Sequence, residues 1–351
     1  MILALETSCD DTCAAVITAE GEIRANVISS QGVHDRYGGV VPEIASRHHL
    51  DLIGAVVDDA LAQAGCPLDE VELVGVTQGP GLVAALLVGL ATAKALAAVH
   101  RTPLAAVDHL HGHVAAAFLK PEPFDPPFLS LIASGGHTLL AHVRDRGPRF
   151  EVIGQTVDDA AGEAFDKGAR LLGLGYPGGA ALERLAREGD SEAFGFPTAQ
   201  RLRGLDFSFA GLKTALLYRV RELGRQEAER HRADLAASYQ RAIVESLALR
   251  VERGLFQTGL SRLTIGGGVA ANGPLRERLA ALGVELDIPR RELCTDNAAM
   301  IASAARYVEA SAYPRYLSLD VYASGERAAG MPPARHPASL QGRRPRRPAA
   351  A

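Results

Sequence analysis

Residues 2–18 read ILALETSCDDTCAAVIT, and this stretch decides the fold. Ile2 to Leu5 form a short apolar run that breaks into the polar turn Glu6-Thr7-Ser8-Cys9-Asp10-Asp11-Thr12, and Ala14 to Thr18 resume as strand. Two apolar runs around a short polar segment predict a β-hairpin, here with carboxylates and hydroxyls at its tip. A third strand is expected over about Glu22 to Ile28. After it come a helix from Pro42 to Ala64, a buried strand from Leu73 to Thr77, a Gly-Pro-Gly turn at residues 79–81, a helix from Leu82 to Ala98 and a strand from Leu104 to Val107.

The same order returns at residues 128–143, FLSLIASGGHTLLAHV, where Phe128 to Ala133 enter the turn Ser134-Gly135-Gly136-His137-Thr138 and Leu139 to Val143 run back. A third strand follows at about Phe150 to Thr156. Residues 157–230 read as a largely helical insertion, before a helix from Ala233 to Thr258, a strand from Arg262 to Ile265, the triplet Gly266-Gly267-Gly268, a helix opening at Asn272 and a strand from Val284 to Ile288. Three strands, helix, strand, helix, strand is an RNase H-like order. Its recurrence predicts an α/β protein of two RNase H-like lobes, residues 1–122 and 123–325, around a central cleft. Ligands of such folds sit where hairpin tips and helix N-termini converge.

Composition narrows the function. The 351 residues carry 37 basic and 41 acidic side chains, a net charge of -4. Residues 326–351 hold six of the arginines and only Glu326 as an acid, so the rest of the chain stands at -9. That balance argues against binding nucleic acid through bulk charge. The tail, rich in Pro, Ala and Arg, is expected to be disordered. The start is acidic where a signal peptide needs a basic flank. The longest apolar run, Leu82 to Ala93, is too short to cross a bilayer and is closed by Lys94, so it reads as a buried helix. Four cysteines (Cys9, Cys13, Cys66, Cys294), none in a CxxC pair, fit reduced thiols in a cytoplasmic enzyme with no membrane role.

Asp108-His109-Leu110-His111-Gly112-His113 is the sharpest local chemistry. On a helix His109 and His113 share a face, which suits two imidazoles on one metal ion, while His111 points elsewhere. A bare HxxxH pair is equally common among ordinary surface or core histidines, so a third ligand is needed. Asp296, expected at a strand end, is the best candidate. HExxH and HxxEH are both missing, which counts against a zinc peptidase. Glycine turns after strands, at Ser134-Gly135-Gly136, Pro177-Gly178-Gly179 and Gly266-Gly267-Gly268, offer backbone N–H groups to a phosphate. With neither GxxxxGK[ST] nor GxGxxG, hairpin-tip carboxylates and glycine turns in both halves point to the actin and sugar-kinase superfamily. Glu6, Asp10 and Asp11 could hold a metal, orient a nucleophile, act as a base, or simply be solvated turn residues. Asp159, Glu163 and Asp166 read as a charged solvent face. Only four basic residues are lysines, and Lys94, Lys167 and Lys213 lie in the most patterned stretches.

Taken together, ETSCD at 6–10, YGGVVPE at 37–43, GPGL at 79–82, His109 to His113, SGGHT at 134–138, Asp158 to Lys167, DFSF at 206–209, GLKTA at 211–215, GGVAAN at 267–272 and CTDN at 294–297 closely resemble one family. It is the TsaD-type tRNA N6-adenosine threonylcarbamoyltransferases, whose fold is the two-lobed actin-like ATPase (ASKHA) fold. The resemblance implies His109, His113 and Asp296 as ligands of one Fe(2+) per subunit, with zinc as the alternative. It implies substrate binding by Ile132, Ala133, Ser134, Gly135 and Gly136, by Asp166, Gly179 and Asn272, and by Glu183, which stands where some members carry an aspartate. Asp11 replaces the usual glutamate after Cys-Asp, and Ala298 replaces a common glycine.

The expected reaction is transfer of threonylcarbamoyl from threonylcarbamoyl-AMP to N6 of adenosine 37 in tRNA. Asp10 would be the catalytic acid/base or orienting group. The implied partners are tRNA, a TsaB-like paralogue and a TsaE-like ATPase. An actin-like ATPase or sugar kinase would leave the histidine pair unexplained. A metallopeptidase would leave the glycine turns so.

Overall fold

The computed structural model describes residues 1–198 and 204–323, and the basic tail at 326–351 lies outside the described residues. Strands β1 (Ile2–Glu6), β2 (Asp11–Ile17), β3 (Ile23–Ser30), β4 (Leu73–Gly79) and β5 (Leu104–Asp108) form one sheet. Strands β6 (Phe128–Ala133), β7 (Thr138–Val143), β8 (Glu151–Gln155), β9 (Arg262–Gly266) and β10 (Glu285–Asp287) form a second. The orders are β3-β2-β1-β4-β5 and β8-β7-β6-β9-β10, so the second sheet repeats the first. In each, the opening hairpin is antiparallel and the two later strands join parallel to its first strand. β1 and β6 are therefore central, and every residue of both is buried. A strand buried on both faces reads as an unbroken apolar run, which is how both appear in the sequence.

The helices are α1 (Pro42–Ala64), α2 (Val83–His100), α3 (His109–Ala115), α4 (Ala161–Leu171), α5 (Gly178–Ala186), α6 (Ala210–Arg230), α7 (Arg232–Thr258), α8 (Gly273–Ala280), α9 (Arg291–Cys294) and α10 (Ala298–Ala305). Three cores result. One lies under α1 and α2 on the outer face of the first sheet, with Leu3, Leu5, Val57 and Leu90. Another lies under α4 to α8 on the outer face of the second, with Leu129, Phe165, Tyr239 and Leu247. The third joins the two inner faces through α3 and α10, combining Ala4 and Ile17 with Ile132 and Ala141.

α2 departs from the expected buried helix. Its length and apolarity would suffice to cross a membrane. In the fold Leu86, Leu90, Ala93 and Ala97 are buried, but Val83, Leu87 and Val99 are exposed. Lys94, the residue that interrupts the apolar run, donates from Nζ to the carbonyls of Leu317 (3.0 Å) and Leu319 (2.6 Å). Residues 311–319 are thereby tied to α2 and, by paired backbone bonds between Leu104 and Ser311, to the first sheet. α10 packs on β1, β2 and β4 and against α3. Across the cleft, the Arg170 guanidinium on α4 donates to the Gly38 carbonyl.

Candidate active site and metal centre

β5 ends at Asp108, whose carboxylate accepts from the N–H groups of Leu110 (2.9 Å) and His111 (3.2 Å) and so caps α3. The cap places His109 in the first turn and His113 four residues on, both buried. Their rings meet edge to face at 4.7 Å. His111 points away, toward the Arg146 carbonyl at 3.2 Å.

Asp296 arrives from the other end of the chain. It lies not at a strand end, as expected, but in the turn between α9 and α10, where the next residue, Asn297, caps α10 by accepting from the Met300 N–H at 3.0 Å. Its Oδ1 is 3.3 Å from His113 Nε2 and 3.6 Å from His109 Nε2. One donor atom from each residue falls within 4.8 Å of the other two, the spread of ligands around one ion.

The donor set fits a divalent cation on chemical grounds. Both ring nitrogens of His113 are buried without a well-formed hydrogen bond among the described residues, Nε2 having only the 3.3 Å contact with Asp296. A buried donor or acceptor left so costs about 1–3 kcal/mol, a cost that ligation removes. Burial opposes a charge on His109, yet the carboxylates of Asp296 and Glu6 outweigh it and raise the imidazole to about 9. Burial would also raise the Asp296 carboxyl, but His109 and His113 hold it well below the usual carboxylate range. Two imidazoles and a carboxylate suit iron or zinc equally, so the donor set leaves the ion open.

The remaining expected residues form the facing wall. Ser134 to His137 close a tight turn, with the Ser134 N–H on the His137 carbonyl at 2.8 Å and Gly135 and Gly136 exposed at its tip. Gly162, at the start of α4, donates to the Ser134 carbonyl at 3.0 Å, and a Cβ there would meet that oxygen at 2.7 Å. α4 then carries Asp166, whose Oδ1 accepts from the Gly178 N–H at 2.7 Å at the start of α5 beside Gly179. Asp166 thus turns inward. Its supposed partners on a solvated face, Asp159 and Glu163, instead share Lys167 at 2.7 and 2.9 Å.

Glu183 and Asn272 are together: Asn272 Nδ2 donates to Glu183 Oε2 (3.1 Å) and to Gln240 Oε1 (2.9 Å), while its Oδ1 caps α8 through the Leu275 N–H. Ile132 and Ala133 end β6 beside Gly266, whose Cα faces the His113 carbonyl. This wall therefore abuts the histidine helix. Asp10 is partly exposed at the β1–β2 tip, and its charge raises the Asp166 carboxyl, to which burial contributes most.

Three residues were not singled out by spacing. Glu6, weighed only as a tip residue, is buried against His109. His137 lies with its ring 6.4 Å from that of His109. Burial, with the charges of His109 and His113, depresses its imidazole to about 4. His49 on α1 donates from Nε2 to the Cys9 carbonyl (3.0 Å), while its Nδ1 lies 2.8 Å from the Thr12 hydroxyl, and so pins the hairpin tip.

Asp11 gives a pH test. Burial raises its carboxyl to about 7, with Asp296, Asp10 and Glu6 adding and Ser30 opposing. The folded chain then keeps a proton that the unfolded chain loses near pH 4, so stability falls as pH rises from about 4 to 7. In metal-stripped protein Asp11→Asn should raise Tm by about 4 °C at pH 8 and leave it unchanged at pH 4. A pH 8 Tm at or below the parent's contradicts this.

Two repeated sheet lobes enclosing a His/His/Asp group that could hold a cation, with glycine turns opposite, define a two-lobed ASKHA-fold protein. Solved structures agree on the fold. HypF of T. kodakarensis superposes with a TM-score of 0.59 at 12% identity over 87% of this chain and 47% of that one. Component A of the Acidaminococcus fermentans (R)-2-hydroxyglutaryl-CoA dehydratase gives 0.51 at 16%, over 87% and 95%.

The TsaD family profile, tRNA N6-adenosine threonylcarbamoyltransferase, matches residues 22–303. The enzyme of that name from Clostridium perfringens (strain SM101) is 48% identical over 313 residues, 88% of this chain and 92% of its own. The one from Clostridium botulinum (strain 657) is 47% identical over 330 residues, 92% and 96%. The chain belongs to the TsaD family of tRNA N6-adenosine threonylcarbamoyltransferases, enzymes that form t6A in tRNA.

Proposed function

We propose that the donor is threonylcarbamoyl-AMP and the acceptor N6 of adenosine 37 in tRNAs reading codons that begin with adenine. The observation that carries this reading is the His109–His113–Asp296 group, its histidines buried, abutting a wall of glycine turns. The donor is a mixed anhydride with a good leaving group, AMP, but the acceptor amine is a poor nucleophile because its lone pair is delocalised into the base. The centre would hold Fe(2+), with zinc as the alternative, and a bound cation supplies Lewis acidity to the donor carbonyl. The chain's own residues do the rest. Backbone N–H groups at Gly135, Gly136 and Gly179 hold the adenylate phosphate, Ile132 to Ser134 line its path, and Asp166, Glu183 and Asn272 shape the nucleoside end. Asp10, at the tip across from Asp166, orients the amine and takes its proton as the C–N bond forms.

The exposed apolar positions Leu50 on α1 and Val83 and Leu87 on α2 support docking of a TsaB-like paralogue on these helices, with a TsaE-like ATPase acting on the pair. A lobe division at residues 122/123 and a cytoplasmic site of action belong to the same reading. Purified chain with both partners, tRNA and threonylcarbamoyl-AMP should yield the modified nucleoside by mass spectrometry. Consumption of ATP or peptide without that product sinks the proposal. Removing residues 325–351, with their six arginines, should weaken tRNA binding and flatten its salt dependence, and unchanged binding would place the basic footprint elsewhere.

A further inference from the structure

We propose that Glu6 is a positioning residue that fixes His109 as the Nδ1–H tautomer with Nε2 turned into the cation site. This rests on the reading of His109, His113 and Asp296 as metal ligands. Glu6 is the last residue of β1 and only 1% exposed. A carboxylate so buried must be satisfied by donors, and three converge on it from different elements. The Ser8 N–H, two residues on in the hairpin tip, donates to Oε1 at 2.5 Å. The Thr77 hydroxyl donates to Oε2 at 2.6 Å, from the position on β4 that follows the paired residues Leu5 and Val76. His109 Nδ1 lies 2.9 Å from the same oxygen.

An ionised carboxylate only accepts, so at that contact the proton is on Nδ1. In the neutral ring the lone pair is then on Nε2, the nitrogen that faces Asp296 Oδ1 at 3.6 Å. The two histidines differ in this respect. His113 has no partner at Nδ1 and only the 3.3 Å contact with Asp296 at Nε2, whereas Glu6 holds the His109 ring by a proton on Nδ1 before any cation arrives, so that Nε2 is the nitrogen left to ligate once the ring is neutral. A carboxylate on the second nitrogen of a metal-binding histidine orients the ring and raises its basicity.

Glu6→Gln separates this role from simple structural support. A glutamine has one acceptor and one donor arm. Either its NH2 group opposes the Ser8 N–H, or it faces His109 and drives the proton to Nε2, where it blocks ligation. Two readouts on the metal-stripped full chain test the proposal: Zn2+ affinity by calorimetry, and, above pH 9 where the His109 ring is neutral, its tautomer by 15N NMR of histidine-labelled protein. Glu6→Gln should weaken Zn2+ binding 10–100-fold and shift His109 toward the Nε2–H form. Thr77→Val keeps the carboxylate and its shape but removes one support, so it should give a smaller loss in the same direction, and it stands in if Glu6→Gln does not fold. Zn2+ affinity within threefold of the parent, or an Nδ1–H tautomer retained in Glu6→Gln, overturns the proposal. If the parent itself binds no Zn2+, the metal-centre reading fails, and the tautomer measurement still decides the role of Glu6.

Discussion

His113→Leu should empty the purified enzyme of its cation and lower threonylcarbamoyl transfer by about 1000-fold, while leaving the metal-stripped fold at least as stable as the parent's. The loss follows from removing one of three ligands from a centre whose Lewis acidity is worth several kcal/mol, at about 1.4 kcal/mol per tenfold in rate. The unchanged stability follows from the structure. His113 contributes a buried Nδ1 with no partner, whose relief offsets loss of the 3.3 Å contact between Nε2 and Asp296, and leucine fills a similar volume without polar atoms to satisfy. Metal analysis, a transfer assay and thermal melts of stripped protein check the three parts separately. A variant that still transfers at more than a tenth of the parent rate without metal removes the centre from the mechanism.

Cation binding should also depend on pH in a definite sense. His109 keeps its proton to about pH 9 in the stripped chain, where Asp296 and Glu6 outweigh burial. The ligand is the neutral ring, so binding displaces a proton, and affinity should rise about tenfold per pH unit from 7 to 9. The same proton stabilises the stripped fold fully below about pH 6.5 and ceases to do so as pH passes 9.

Gly267→Ala should be the most damaging single methyl group in the wall opposite. Gly267 sits at φ +85° and ψ 160°, a conformation essentially reserved for glycine that costs an L side chain about 1–3 kcal/mol. A Cβ there would also stand 2.6 Å from the Ala133 carbonyl carbon and 3.0 Å from the Ser134 nitrogen. Those atoms are backbone, held by the β6–β7 pairing of Ala133 with Thr138 and by the Ser134–His137 bond, and cannot rotate away as a side chain would. Strain and collision together should cost about 3 kcal/mol, or roughly 4 °C in Tm for a chain of this length. The peptide forced to move is the one leading into Ser134-Gly135-Gly136, so KM for the adenylate should rise as well. Gly268→Ala is the internal control: a Cβ at that position meets nothing within 4 Å, and its melt should match the parent's. A Gly267→Ala melt within 2 °C of the parent defeats the steric account.

Local pattern made much of this readable. The hairpin at residues 2–18, its echo at 128–143, and α1 from Pro42 to Ala64 are set by nearby residues, and the structure matches them closely. The histidine pair was legible because four residues is one helical turn. Asp296 was picked out as a ligand but misplaced, since it rides on a turn whose shape is set by the Asn297 cap rather than by a strand. Glu6 and Asp166 show where pattern fails. Glu6 meets His109 across 103 positions, and Asp166 turns inward to Gly178, while Asp159 and Glu163 go to Lys167. Helical spacing says which residues share a face, but not what packs against that face.

The return of α10 and the segment after it to the first sheet has a consequence for biosynthesis. The inner face of that sheet is complete in sequence by Asp108, yet its cover, Ala298 to Ala305, is made about 190 residues later. At about 5–20 residues per second the interval is roughly 10–40 s. For that time an apolar sheet face has emerged from the ribosome without its lid, and Asp296, travelling beside the lid, is among the last residues to arrive. The His109–His113–Asp296 group therefore cannot assemble on a partial chain, and a truncated product would carry the two histidines without the carboxylate that joins them.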